Sequence, residues 1–156
     1  SKGDIDASLE RLNKLNESTS GYETASVKRE LQECMQNYFG VFRRGDFMEK
    51  GLNELAEIRH KVDNLHLKDK SSAFNTSRVE AIELQNLFEV AEATAVSAFE
   101  RNESRGAHAR DDFPDRDDDN WLCHSFYDPI NKKVSKREVN FAPTKVDAFP
   151  PIVRTY

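Results

Sequence analysis

Proline is missing from the first 113 residues; all five prolines fall at position 114 or later. The strongest helix breaker is therefore confined to residues 114–156, which predicts a helical body followed by an irregular tail. Cysteine is scarce as well. Cys34 and Cys123 are too few for a disulfide framework and lack the C-x-x-C spacing of a zinc site, so a reducing setting is expected. No apolar run approaches the ~20 residues that cross a bilayer. Positive charge is in deficit, with 23 basic against 28 acidic residues and a net charge of -5. That excludes the basic field nucleic-acid binding needs, so no nucleic-acid partner is expected. GxGxxG, P-loop, GxSxG, HExxH and EF-hand patterns are all absent, and with them any familiar nucleotide cradle or hydrolase site. The chain starts Ser-Lys-Gly-Asp, with neither Met nor an apolar leader, which reads as a processed chain or a piece of a longer one.

Aromatic residues are plentiful: ten Phe, four Tyr and one Trp. They argue against disorder even though charged residues make up 33% and apolar residues only 37%. With 156 residues, one domain with a modest core and an extended arm is the expectation, part of its surface facing a partner.

The apolar spacing predicts four helices. Ile5, Leu9, Leu12 and Leu15 mark a short leading helix over about Asp4 to Asn16, and Glu17 to Gly21 reads as a loop. Val27, Leu31, Cys34, Met35, Tyr38 and Phe42 form one stripe of a second helix over about Ala25 to Gly40. Asp46 looks like the N-cap of a third, with Glu49 completing a capping box. Its stripe is Met48, Leu52, Leu55, Ile58, Val62 and Leu65, and it ends near Asn64. The fourth and longest starts near Thr76 or Ser77, where Ser77 and Glu80 offer another capping box, and ends near Asn102. Its apolar residues, from Val79 to Phe99, occupy more than one narrow face, and Ala91, Ala93, Ala95, Ser97 and Ala98 permit close backbone approach. Such a helix is buried in the centre or turns one side to something outside the chain. The expected fold is mainly α: an antiparallel three-helix bundle with a short leading helix, then an extended tail. Trp121 to Tyr127 and Val134 to Phe141 predict a small β-hairpin in that tail. The domain division expected is 1–105 for the bundle and 106–156 for a charged elbow and tail.

Arg105-Gly106-Ala107-His108-Ala109-Arg110-Asp111-Asp112 is the best local candidate for a site. His108 has the chemistry to shuttle a proton or ligate a metal, and Arg105 and Arg110 to clamp a carboxylate bidentately. The blander alternative is a set of ion pairs and caps at the end of the long helix. Cys123 and His124 are neighbours on an extended strand, where adjacent side chains point to opposite faces, so a nucleophile–base pair is not expected. A metal site from His60, His66, His108 and His124 needs long-range convergence. Asp115 to Asp119 lack the glycine and terminal glutamate of a calcium loop and read as a solvated, salt-bridged loop.

The string from Asn102 to His124, NESRGAHARDDFPDRDDDNWLCH, resembles the C-terminal portion of the succinate dehydrogenase flavoprotein. Leu31 to Gln36, Ser72 to Arg78 and the end from Ala148 to Tyr156 are similar to the same family. Fumarate reductase and L-aspartate oxidase flavoproteins share a looser Glu-Ser-Arg-Gly-x-His version. The resemblance implies a longer parent with covalently bound FAD. That parent oxidises succinate to fumarate and passes electrons through an iron–sulfur subunit to quinone, on the cytoplasmic side of the inner membrane. It implies membrane attachment only through partner subunits. The family's FAD fingerprint, flavin-linking histidine and substrate residues match no position here, so no catalytic, cofactor-binding or metal residue is carried over. What it implies for this stretch is docking on the FAD and capping domains of the same polypeptide, with Arg105, Gly106, His108, Arg110 and Asp111 ordering the elbow. Two alternatives remain: a stand-alone helical adaptor without enzymatic activity, and, more distantly, a metal-dependent hydrolase using His108 and the aspartates.

Overall fold

The computed structural model describes residues 2–152. Helix α1 is Lys2–Glu17, α2 is Thr24–Phe39, α3 is Gly45–Asp63 and α4 is Thr76–Glu100. The two-residue strands β1 (Phe42–Arg43) and β2 (Ala109–Arg110) pair in parallel. A short helix α5 (Asp118–Trp121) leads into an antiparallel hairpin of β3 (Cys123–Asp128) and β4 (Lys133–Glu138). The mainly α class, the bundle and the small hairpin agree with the sequence reading. Ser1 and the final residues 153–156, which hold the Arg154-Thr155-Tyr156 end of the resemblance, lie outside the described residues.

Side-chain contacts set the helix directions. Lys61, late in α3, pairs with Glu30, early in α2, at 2.5 Å. Gly51, early in α3, lies where an added Cβ would come within 2.6 Å of the Phe39 ring at the end of α2. The helices α2 and α3 are therefore antiparallel, and only glycine permits so close an approach. At the start of α3 the Gly45 N–H donates to Asp112, whose partner Arg110 reaches the last carbonyls of α4. The helix α4 thus runs antiparallel to α3 and alongside α2.

The core lies between these three helices. Val27, Leu31, Cys34, Met48, Ile58, Val62, Ala81, Leu84, Phe88 and Ala95 are buried in it. Burying a side chain such as Phe88 contributes on the order of 2 kcal/mol, and the Arg59 guanidinium lies 4.2 Å from its ring centre. Cys34 is sealed in this core. Its thiol approaches the Gly51 carbonyl at 3.6 Å, and burial, aided by Glu54, pushes its pKa up to about 12. A thiol in that state is inert.

Three details depart from the sequence reading. Phe42 does not continue the α2 stripe; it stands on β1 and is 78% exposed, while Phe39 fills the core in its place. The helix stops at Gly40 because Arg43 folds back on its end. Neither capping box forms. The N-cap of α3 is Arg44, not Asp46, whose carboxylate accepts from the Arg44 guanidinium at 2.8 Å. The α4 cap is Asn75, whose Oδ1 accepts from the Arg78 N–H at 2.8 Å while its amide donates to the carbonyls of Asp69 and Ser71. One buried Asn closes the loop and caps the helix together, so Ser77 is not needed. Finally α4 ends at Glu100, before Asn102 and well before Gly106.

At this end of the bundle, away from the elbow, neutral backbone contacts dominate. The Tyr22 N–H donates to Asn64 at 3.0 Å and the His66 N–H donates to Tyr22 at 2.9 Å. Lys70 closes α1 by donating to the carbonyls of Leu15 and Ser18 at 3.0 and 2.8 Å.

Candidate functional site

Because α2 and α4 run the same way, two helix C-termini and the N-terminus of α3 meet at one end of the bundle. Helix C-termini carry partial negative charge and N-termini partial positive charge. The residues converging there match those signs. Arg43 closes α2, donating through Nε to the Gly40 carbonyl at 3.0 Å and through Nη2 to that of Phe39 at 3.2 Å. Arg110 closes α4, with Nη1 3.0 Å from the Phe99 carbonyl. Asp112 closes α3, its Oδ2 accepting from the Gly45 N–H at 2.9 Å. Arg110 and Asp112 are also joined by two parallel hydrogen bonds of 2.7 and 2.8 Å. That bidentate bond holds the Asp112 carboxyl well below the usual carboxylate range.

Beside this clamp lies Glu103, whose side chain is fully buried. It accepts from Arg101, from Arg105 Nε at 2.8 Å, from Arg105 Nη2 at 3.0 Å and from the Asp117 N–H at 2.9 Å. Burial works against its charge, but the bonds from Arg105 and Asp117 outweigh that and keep its carboxyl below its ordinary range. Arg105 reaches further to Asp118 at 2.6 Å.

The backbone explains how so many charges converge. Arg105 and His108 exchange N–H···O bonds of 2.8 and 3.0 Å around Gly106, which sits at φ +60°, a conformation that favours glycine. The strand pair Arg43–Arg110 then aligns the clamp, and Ser104 Oγ accepts from the Arg110 N–H at 2.8 Å. His108, half-buried, places Nδ1 2.8 Å from Arg43 Nη1 and Nε2 3.0 Å from the Arg101 carbonyl. Guanidinium nitrogens only donate, so Nδ1 accepts and Nε2 carries the hydrogen. Burial pushes the His108 pKa down; the bond to the Arg101 carbonyl works against this, and the nearby Arg43, Arg110 and Arg101 guanidiniums add to the lowering.

Of the candidates, Arg105, Gly106, His108 and Arg110 are brought together. Asp111 stays at the exposed edge and contributes its N–H to the Arg43 carbonyl at 2.8 Å. The clamped carboxylates are the chain's own Glu103, Asp112 and Asp118. The sequence reading missed Arg43, Arg101 and Glu103. For Glu103 the signal was its place between two arginines two residues away on either side. Arg43, 65 residues from His108, carried no local signal. Arg101 spreads over the Trp121 ring at 5.1 Å and donates to the Trp121 carbonyl at 3.1 Å, fixing the hairpin to the end of α4. Lower on α4, buried Glu92 accepts from Arg59, Tyr127 and Lys132 at 3.0, 3.0 and 3.1 Å and pins the hairpin a second time.

Between α4, the hairpin and the elbow runs a groove of about 690 Å³, lined by Val90, Ala93, Thr94, Ser97, Tyr127 and Pro129 among others. One wall is the outer face of α4 at Val90, 65% exposed; further along that face Val79 and Leu87 are 55% and 43% exposed. A second cavity at the elbow is crossed by the tail, whose Ile152 carbonyl accepts from Arg116 at 2.9 Å. His124 is exposed and Cys123 half-buried on alternate sides of β3. His66 is engaged by Ser18 and His60 packs edge-on against Tyr22, so neither joins His108. Among the described residues no three His, Cys, Asp or Glu side chains converge as a metal site, and no helix is long and apolar enough to cross a membrane.

The turn from β1 into α3 does not form a cradle for a dinucleotide such as FAD. Its pyrophosphate requires a glycine-rich turn from a strand into a helix. Here β1 meets α3 through Arg44 and Gly45, and a Cβ on Gly45 would stand 3.0 Å from the Asp112 carboxylate that already occupies that helix end.

Comparison with known proteins agrees with this arrangement. Residues 28–156 match the family model for the fumarate reductase flavoprotein C-terminus. The succinate dehydrogenase flavoprotein subunit of Coxiella burnetii is 43% identical over 148 residues, covering 95% of this chain and 25% of that protein. The fumarate reductase flavoprotein subunit of Haemophilus influenzae is 35% identical, over 98% of this chain and 25% of its own length. In three dimensions, a quinol fumarate reductase chain of E. coli superposes with a TM-score of 0.83 at 32% identity, over 99% of this chain and 26% of that one. The chain thus spans about a quarter of the length of the relatives it matches. It belongs to the succinate dehydrogenase/fumarate reductase flavoprotein family, as the C-terminal domain of that family's flavoprotein.

Proposed function

We propose that this chain is the docking domain of a flavoprotein that oxidises succinate to fumarate with covalently held FAD. In this reading the electrons leave through an iron–sulfur subunit to quinone. The parent complex lies on the cytoplasmic side of the inner membrane and is held there by partner subunits. The relatives' names as dehydrogenase and reductase flavoprotein subunits support the reaction class. Residues 1–105 form the bundle in this proposal, and 106–156 the elbow and tail that meet the rest of the polypeptide.

The observation that carries the docking role is the outer face of α4. Val79, Leu87 and Val90 share one side of the helix, away from the core, and all three are exposed. Phe74, at the entry to α4, is fully exposed at φ +52°, a conformation an aromatic side chain adopts only when its surroundings impose it. Apolar surface laid out along one helix marks an interaction face. Arg105, Gly106, His108, Arg110 and Asp111 serve this role by holding the elbow in shape, not by acting on substrate.

An immunoblot of source-cell lysate against this chain, with in-gel flavin fluorescence, tests the proposal. A fluorescent band about four times 17.9 kDa is expected, since the chain covers 25% of its relative. A non-fluorescent band at the chain's own size would overturn it and favour a helical adaptor.

A further inference from the structure

His108 is the joint between two capped helix ends. Its Nδ1 accepts from Arg43 at 2.8 Å, and the other nitrogens of that guanidinium close α2. Its Nε2–H reaches the carbonyl of Arg101, the C-cap residue of α4, at 3.0 Å. Its backbone meanwhile closes the turn to Arg105. One ring therefore ties α2, α4 and the elbow together, in a single protonation state.

We propose that His108 is a proton-operated latch: neutral, it locks the elbow onto the ends of α2 and α4, and protonated, it releases Arg43 and loosens the elbow. A proton on Nδ1 turns the acceptor into a donor, and two donors then face each other at 2.8 Å. The new charge also joins three guanidinium groups, those of Arg43 on β1, Arg101 at the end of α4 and Arg110 on β2.

The surrounding acids offer no relief. Glu103 is taken by Arg101 and Arg105, and Asp112 by Arg110 and Gly45. Glu89, across the groove on α4, is paired with Arg59 at 2.5 Å. Tyr127, on β3, donates to Glu92 and has its pKa pushed up to about 12 by burial and that carboxylate, so it stays neutral. The folded ring accordingly takes up its proton less readily than a free histidine, whose pKa is ~6.5. The stability His108 contributes is whole above pH ~6.5 and is lost as the pH falls from there toward the lower folded value. The latch rests on hydrogen bonds within the chain and holds whether or not the α4 face docks on anything.

The test is an NMR titration of the full 156-residue chain with ¹⁵N-labelled histidine, from pH 8 to 4.5. A neutral ring in the Nε2–H form, titrating below pH ~6.5, is expected. Hydrogen exchange of the Arg105, His108 and Asp111 amides, corrected for intrinsic rates, should speed up between pH 7.5 and 5.5, by at most about tenfold because pH 5.5 lies one unit below the free value of ~6.5. The Tyr22 and His66 amides at the opposite end should not follow. In His108→Gln, which takes no proton, the elbow rates should be flat with pH. An Nδ1–H tautomer, a titration at or above pH ~6.5, or equal loosening at both ends would overturn the latch. If His108→Gln does not fold, the tautomer and titration of the unaltered chain decide alone.

Discussion

The two ends of the bundle solve the same problem by opposite means. Each gathers helix termini whose backbone groups need partners. The far end uses mainly backbone pairing between Tyr22 and the 64–66 segment and the amide of Asn75, with Lys70 on the carbonyls that end α1 and the partly exposed pairs Lys61–Glu30 and Lys68–Glu23 at its edge. The elbow end uses arginines, carboxylates and a histidine, several of them buried. Neutral closures depend little on conditions. Charged closures are strong only while every member keeps its partner and its protonation state. The elbow is thus the end where one substitution or one proton does the most.

The largest effect is expected at Glu103. Replacing it by Ala leaves Arg101 and Arg105 without the carboxylate they share, and breaking a buried pair of this kind costs about 3 kcal/mol. Urea unfolding should show that loss; a change below about 1 kcal/mol, the scale of an exposed pair, would erase the contrast between the two ends. Asn75→Ala comes next, removing an N-cap and two loop hydrogen bonds at the far end for about 2 kcal/mol. Its cost should be the same at pH 7.5 and 5.5, which sharpens the comparison if His108 behaves as proposed. Gly106→Ala is the mildest. The position needs φ +60° but a Cβ there meets nothing within 4 Å, so only backbone strain of about 1 kcal/mol is expected. A drop in melting temperature larger than that of Asn75→Ala would mean the turn carries more than its backbone shape.

Much of the fold was legible because helical periodicity is local. The stripe from Met48 to Leu65 is a core face, and the stretches expected as strands on either side of residues 128–133 pair as a hairpin, shorter at both outer ends than read. The errors were also local in origin. Phe42 continues the period of α2 but falls after the stop that Arg43 imposes, and both capping boxes have the right letters in places where another residue supplies the cap. The candidate site was legible as a cluster, since 105 to 112 are neighbours in the chain. Which groups they pair with was not. Arg43 lies 65 residues from His108, and Asp112 67 residues from the helix start it closes.

The sequence by itself determined where the long helices lie, that none of them falls in the proline-bearing residues 114–152, and, through the string from Asn102 to His124, the family. Periodicity, proline and a long shared string act within a few turns of chain, so no tertiary knowledge is needed to read them. Only the tertiary structure decided that α2 and α4 run the same way, and hence that two negative helix ends and one positive one meet at the elbow. That meeting assigns Arg43, Arg110 and Asp112 to their caps and leaves His108 a single neutral role. The sign and position of a helix end are properties of the assembled bundle, and no segment read alone contains them.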